Sequence, residues 1–166
     1  MNTLPILYLK THSPYNIDIQ SNGDLQFTTE YGVEYRVSFM EDYSIWPENA
    51  YQFLVINKNS KSSPSDKKLK DTIMTIIEAF FISNPYILLY ICETGDRKQA
   101  ARNRLFVRWF NDSKRQKEFY FRDVNIKADG IDNFAAIIVQ KSNPDIDTII
   151  SQFDEFINFM SDKPDI

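Results

Sequence analysis

A chain of 166 residues, 43% hydrophobic and 25% charged, is long enough to bury a core and too apolar to be disordered. Its one cysteine, Cys92, and one histidine, His12, exclude an internal disulfide framework and a cysteine-ligated metal site, and leave little for a histidine-based triad. The net charge is −4, yet residues 97–117 carry eight cations against one acid, Asp112, a segment of +7 within a remainder of −11.

The first residues, Met1-Asn2-Thr3-Leu4-Pro5, have neither a basic start nor a long apolar run, so no signal peptide is expected. The longest apolar stretches, residues 86–92 and 134–139, are too short to span a bilayer. A cytoplasmic protein with no membrane partner is the expectation. The short apolar run 6–9 would add an edge strand. Residues 15–20 alternate, with Tyr15, Ile17 and Ile19 on one face, and Asn22-Gly23 supplies a two-residue turn. Residues 25–29 alternate again, Tyr31-Gly32 turns the chain, and 33–39 place Val33, Tyr35, Val37 and Phe39 together. This pattern predicts an antiparallel meander with one wet face.

A loop over 44–50 contains Trp46-Pro47, and 51–57 is the next strand. Ser63-Pro64-Ser65-Asp66 then reads as a helix start, with Ser63 as the cap, Pro64 in the first position and Asp66 in the third. Leu69, Ile73, Ile76, Ile77 and Phe80 fall on one stripe of that helix, which ends near 83–85. The loop 58–68 bears Lys58, Lys61, Lys67 and Lys68 and could hold an anion. It has no glycine, so it is neither a P-loop nor a dinucleotide fingerprint, and a plain surface loop accounts for it equally.

Residues 86–92 are apolar throughout, the pattern of a central strand covered on both faces. Thr94-Gly95-Asp96 turns into a helix over about 97–110. Strands follow at 117–125 and 134–140 around a turn at 128–133. Asn143-Pro144-Asp145 opens the last helix, whose stripe is Ile146, Ile149, Ile150, Phe153, Ile157 and Met160, and 163–166 is a tail. The expected fold class is α+β in one domain over 1–166, a mixed, mostly antiparallel sheet of six to eight strands with three helices. Residues 1–50 are the meander, 51–140 run β-α-β-α-β-β, and 144–161 are the closing helix.

The sharpest local feature is the helix after Gly95. At about 100° per residue, Arg97, Arg104 and Arg108 share a stripe flanked by Ala100 and Ala101, while Leu105, Phe106, Trp109 and Phe110 face the core. Guanidinium forks suit carboxylate or phosphate. Arg102 points toward the aromatic side and needs an acid, either Glu93 or one on a neighbouring strand. Gln99 and Asn103 point the same way, so polar residues stand where apolar ones belong, and that inconsistency marks a candidate site. The plainer readings are a solvated face and a structural hydrogen-bond network at a sheet edge. Cys92 could be activated beside a helix N-terminus, but with only His12 as a base it reads as a small buried hydrophobe. The pairs Glu41-Asp42 and Asp154-Glu155 read as ordinary surface.

From residue 51 onward, the order strand, helix, strand, helix, strand, strand is similar to the acyl-CoA-binding half of GNAT-type N-acetyltransferases. Arg104-Leu105-Phe106-Val107-Arg108-Trp109-Phe110 resembles that family's fourth-helix pattern. The likeness covers roughly 24–140 and lies in element order. It implies a degenerate acyl-CoA-binding or acetyltransferase-like protein, because no glycine stands in 57–66, where the family binds pyrophosphate, and Phe106 replaces its tyrosine acid. The block 92–110 also resembles uncharacterised bacterial proteins grouped as a domain of unknown function.

The residues legible here form no catalytic set. The expectation is a non-enzymatic interaction or regulatory protein that uses the basic helix, with no cofactor. Its partner is an acidic protein surface or an anionic small molecule, bound through Arg97, Gln99, Arg102, Asn103, Arg104 and Arg108. The net acidic chain argues against nucleic acid, and the oligomeric state is not specified.

Overall fold

A computed structural model describes residues 1–92 and 94–162. The fold is α+β, and the described residues form seven strands, inside the expected range, and four helices, one more than expected. The chain divides into two compact units, residues 1–40 with 53–85, and residues 41–52 with those from 86 onward. Among the described residues no helix is long and apolar enough to cross a membrane.

The first unit holds α1 (Ile6–His12), β1 (Asp18–Ile19), β2 (Leu25–Thr28), most of β3 (Glu34–Glu41) and β4 (Ala50–Asn57), and α2 (Lys67–Ser83). β1, β2 and β3 pair antiparallel in sequence, as the meander pattern predicts. Gly23 and Gly32 take φ of 88° and 73° at the two turns. Leu25, Phe27 and Val37 point into the core, and the Phe39 ring stacks on Phe80 of α2 at 4.9 Å.

Two expectations are corrected in this unit. Residues 6–9 belong to a helix rather than an edge strand. A four-residue apolar run does not distinguish the two, and contact decides it: Leu9 is buried, α1 packs on α2, and the Tyr8 hydroxyl donates to Glu78 at 2.7 Å. The cap of α2 is Asp66, not Ser63. Asp66 Oδ1 accepts from the Leu69 N–H at 3.1 Å, and its Oδ2 accepts from the buried Tyr15 hydroxyl at 2.7 Å. The expected stripe of α2 is buried, and so are Thr72, Met74, Thr75, Ala79 and Phe81, because the helix is covered on more than one side.

The second unit contains β5 (Ile87–Ile91), α3 (Gln99–Asn111), a 3-10 turn at Gln116–Glu118, β6 (Phe119–Ala128), β7 (Ile131–Gln140) and α4 (Ile146–Ser161). Its strands lie in the order β5-β7-β6, all antiparallel, with β6 at the edge. The β6–β7 hairpin extends to Ala128↔Ile131, past the ends expected at 125 and 134. Asp129 and Gly130, with φ of 51° and 74°, close it as a tight two-residue turn.

The two faces of this sheet carry different helices. On one, the Tyr90 and Phe106 rings stack at 4.0 Å and the Phe110 and Phe121 rings at 4.4 Å, which fixes α3. On the other, Leu89, Ile137 and Val139 pack against Ile149 and Phe153 of α4. Of the stripe expected in α4 only Ile149 and Phe153 are fully buried. A cavity of about 170 Å³ between the C-terminal half of α4 and the sheet is lined by Ile126, Phe156 and Ile157 among others. Arg122 of β6 pairs with Asp154 of α4 on this face and sits over the Phe153 ring.

Candidate functional site

α3 begins at Gln99, two residues later than expected. Arg97 precedes it with φ of 59°, so its side chain is not part of the helical stripe. The buried stripe is Asn103, Phe106 and Phe110 at i, i+3 and i+7. Trp109 is half-buried. Leu105, expected in the core, is 42% exposed because it lies one step around the helix from that stripe.

Arg102 is half-buried and forms a two-pronged pair with Asp96, one arm at 2.9 Å. Glu93, the partner expected by name, lies outside the described residues. Hydrogen bonds from Arg102, then the Lys98 N–H, hold the Asp96 carboxyl below its usual range. Both partners are substantially exposed, so the pair is not the buried one that the sequence suggested. Arg115 and Glu118 form a second such pair.

Arg104 and Arg108 differ. Both are exposed, one turn apart, and among the described residues neither guanidinium has a carboxylate partner. They border an open depression of about 460 Å³ whose wall also includes Asn103, Val107, Asn111 and Asp123. Asn103 is 5% exposed, and its Nδ2 donates to Asp123 on β6 at 3.0 Å. Its Oδ1 is buried and has no hydrogen-bond partner among the described residues. Gln99 repeats this pattern, since its Nε2 donates to the Asp132 carbonyl at 3.3 Å while its Oε1 is buried and unsatisfied. Orphaned buried acceptors are uncommon in native structures, and each calls for an explanation.

Of the six residues singled out from the sequence, Asn103, Arg104 and Arg108 therefore share one depression. Arg102 is engaged with Asp96, Gln99 lies toward Asp132, and Arg97 stands outside the helix. Asp123 was not anticipated. The legible signal was its place in the alternation Phe119, Phe121, Asp123, a carboxylate on the face that otherwise feeds α3 with aromatics.

The other candidates resolve simply. Burial pushes the Cys92 thiol up, and the Tyr90 hydrogen bond and the Arg102 charge only partly oppose it, so the thiolate is scarce. Phe106 is a core ring. The lysines of the 58–68 loop do not converge: Lys58 reaches Gln26 and Lys68 reaches Glu30. Among the described residues no cluster of His, Cys, Asp or Glu is placed to hold a metal ion.

Residues 65–155 fit a family described as a family of unknown function, DUF6169. No curated protein and no solved structure matches. The likeness to acetyltransferases finds no support in these comparisons.

Proposed function

Since this chain belongs to the family of unknown function DUF6169, its role has to be argued from its own surface, and we propose that it is a non-enzymatic interaction or regulatory protein that docks an acidic segment of a partner protein on Arg104 and Arg108. The observation that carries this reading is a pair of guanidiniums one helical turn apart, without a carboxylate partner among the described residues, at the rim of an open depression. Guanidiniums bind carboxylates through paired donors, and partners at an exposed rim add mainly to encounter rate and specificity. The remaining cations of the basic segment add a long-range field of the same sign.

The depression is open, whereas small-molecule sites enclose most of their ligand. That favours a protein surface over the other occupant of the same guanidiniums, an anionic small molecule such as an acyl-CoA. The small-molecule reading predicts a rise in melting temperature with acetyl-CoA. Nucleic acid is disfavoured because two guanidiniums at one rim fall short of the extended basic surface that binding a phosphate backbone needs.

The test is fluorescence anisotropy with a labelled oligoglutamate peptide at low ionic strength. The wild-type chain is expected to bind. The double variant R104E/R108E is expected to lose at least about tenfold in affinity with its melting temperature nearly unchanged, because both side chains are exposed. Binding that survives the double reversal would remove these residues from the site.

A further inference from the structure

The edge of β6 lies beside the two arginines, and its hydrogen-bonding direction follows from the ladder. The Lys141 N–H donates to the Glu118 carbonyl at 2.9 Å, one step before the Phe119↔Gln140 pair. In an antiparallel ladder, residues two apart aim their backbone groups the same way. Tyr120, Arg122, Val124 and Ile126 therefore face β7. The same parity on β7 sends the Phe134 carbonyl toward β5, where it accepts from the Cys92 N–H at 3.0 Å. Phe121, Asp123, Asn125 and Lys127 are left with N–H and C=O groups pointing off the sheet, and among the described residues no strand pairs with that side.

We propose that the acidic partner segment binds as an added strand along this edge of β6, with alternate acidic side chains reaching Arg104 and Arg108. This inference rests on the docking reading above and specifies the conformation of its ligand. The spacing supports it. Side chains at i and i+4 on a helix stand about 5–6 Å apart, and alternate side chains of a strand about 6.5–7 Å apart, so two acids at i and i+2 meet the two guanidiniums in register. The α3 side of the sheet edge is where the depression lies, with Asp123 on the strand and Arg104 and Arg108 on the helix. A bare anion offers only acceptors. A polypeptide also brings N–H donors, for which the outward carbonyls of β6 are acceptors. The opposite set of side chains would lie beside Val124 and Ile126 on the α4 side, so acids alternating with apolar residues fit best. A second copy pairing its own β6 here in antiparallel fashion would bring both α3 helices to the same side of the seam, arginines against arginines, which disfavours it.

The probe is a synthetic peptide alternating glutamate and valine, added to the full chain at low ionic strength while amide exchange is followed by NMR. Strand addition predicts that the amides of Phe121, Asp123, Asn125 and Lys127 slow by at least about tenfold on binding. N125P removes one outward N–H without touching the β6–β7 ladder, and is expected to lose binding. N125A lacks the same side-chain bond to Asp132 and is expected to keep it. If the peptide binds in an Arg104- and Arg108-dependent way while the edge amides exchange as before, strand addition is wrong and the docking reading stands. If neither this peptide nor oligoglutamate binds, both fall. Edge amides that slow with protein concentration alone would assign the edge to a second copy and overturn the proposal.

Discussion

Asn103 stands in the buried stripe of α3 one turn before Phe106, with its Nδ2 spent on Asp123 and its Oδ1 without a hydrogen-bond partner among the described residues. An unsatisfied buried acceptor costs about 1–3 kcal/mol. Asn103→Leu removes the orphan Oδ1 and the bond to Asp123 together, so urea denaturation is expected to show little net change in stability while peptide binding weakens. Binding left intact would make Asn103 purely structural. Arg102→Ala opens its pair with Asp96, and because both members of that pair are substantially exposed, the loss of the pair itself should move the melting temperature little. Tyr15 titrates with a definite sign. Burial, and then its hydrogen bond to Asp66, raise its phenol from 10.0 to about 12. The fold thus favours the neutral phenol. That stabilisation is complete below pH 10 and is lost as the pH climbs to about 12. Tyr15→Phe should cost about 1 kcal/mol at neutral pH through the lost bond to Asp66, and should flatten the alkaline limb of a stability-against-pH curve.

At the scale of elements, the β6–β7 hairpin depends on Asp129-Gly130. Gly130→Ala meets no atom within 4 Å but keeps a φ of 74°, so its cost is conformational, about 1 kcal/mol by thermal denaturation. That dipeptide is a strong turn signal in the sequence, yet the apolar pattern stops at Val124 or Ile126 and resumes at Phe134, because the hairpin tip projects into solvent and has no core face to display. Elements with a core face were legible: the alternation of β2 and β3, the stripe of α2 and the apolar run of β5 follow from burial, whereas the strand expected over 15–20 shortens to Asp18–Ile19 and Ile19 is exposed. Residues 6–9 and the cap at Asp66 were not, since each is decided by a contact distant in sequence, Tyr8 with Glu78 and Tyr15 with Asp66. In the candidate site, helical periodicity alone put Arg104 and Arg108 together. The engagement of Arg102 with Asp96 and the proximity of Asp123 required the turn before α3 and the register of β6.

At the scale of the whole molecule, an acidic chain with one basic segment is electrically lopsided, and the lopsidedness makes a prediction about rates. Charge screening shortens to about 8 Å at physiological ionic strength, so adding salt should slow association with an acidic peptide far more than it speeds dissociation, as stopped-flow traces can separate. A salt-independent association rate would show that the basic segment does not steer its partner. The single cysteine offers another window on the same region. Cys92 lies under α3 with its sulfur shielded, and there is no second thiol to confuse the signal. A thiol reagent can therefore react only when that side of the sheet transiently opens, and the labelling rate becomes a stopwatch for how often the helix lifts. Whatever clamps α3 in place should make the stopwatch run slow.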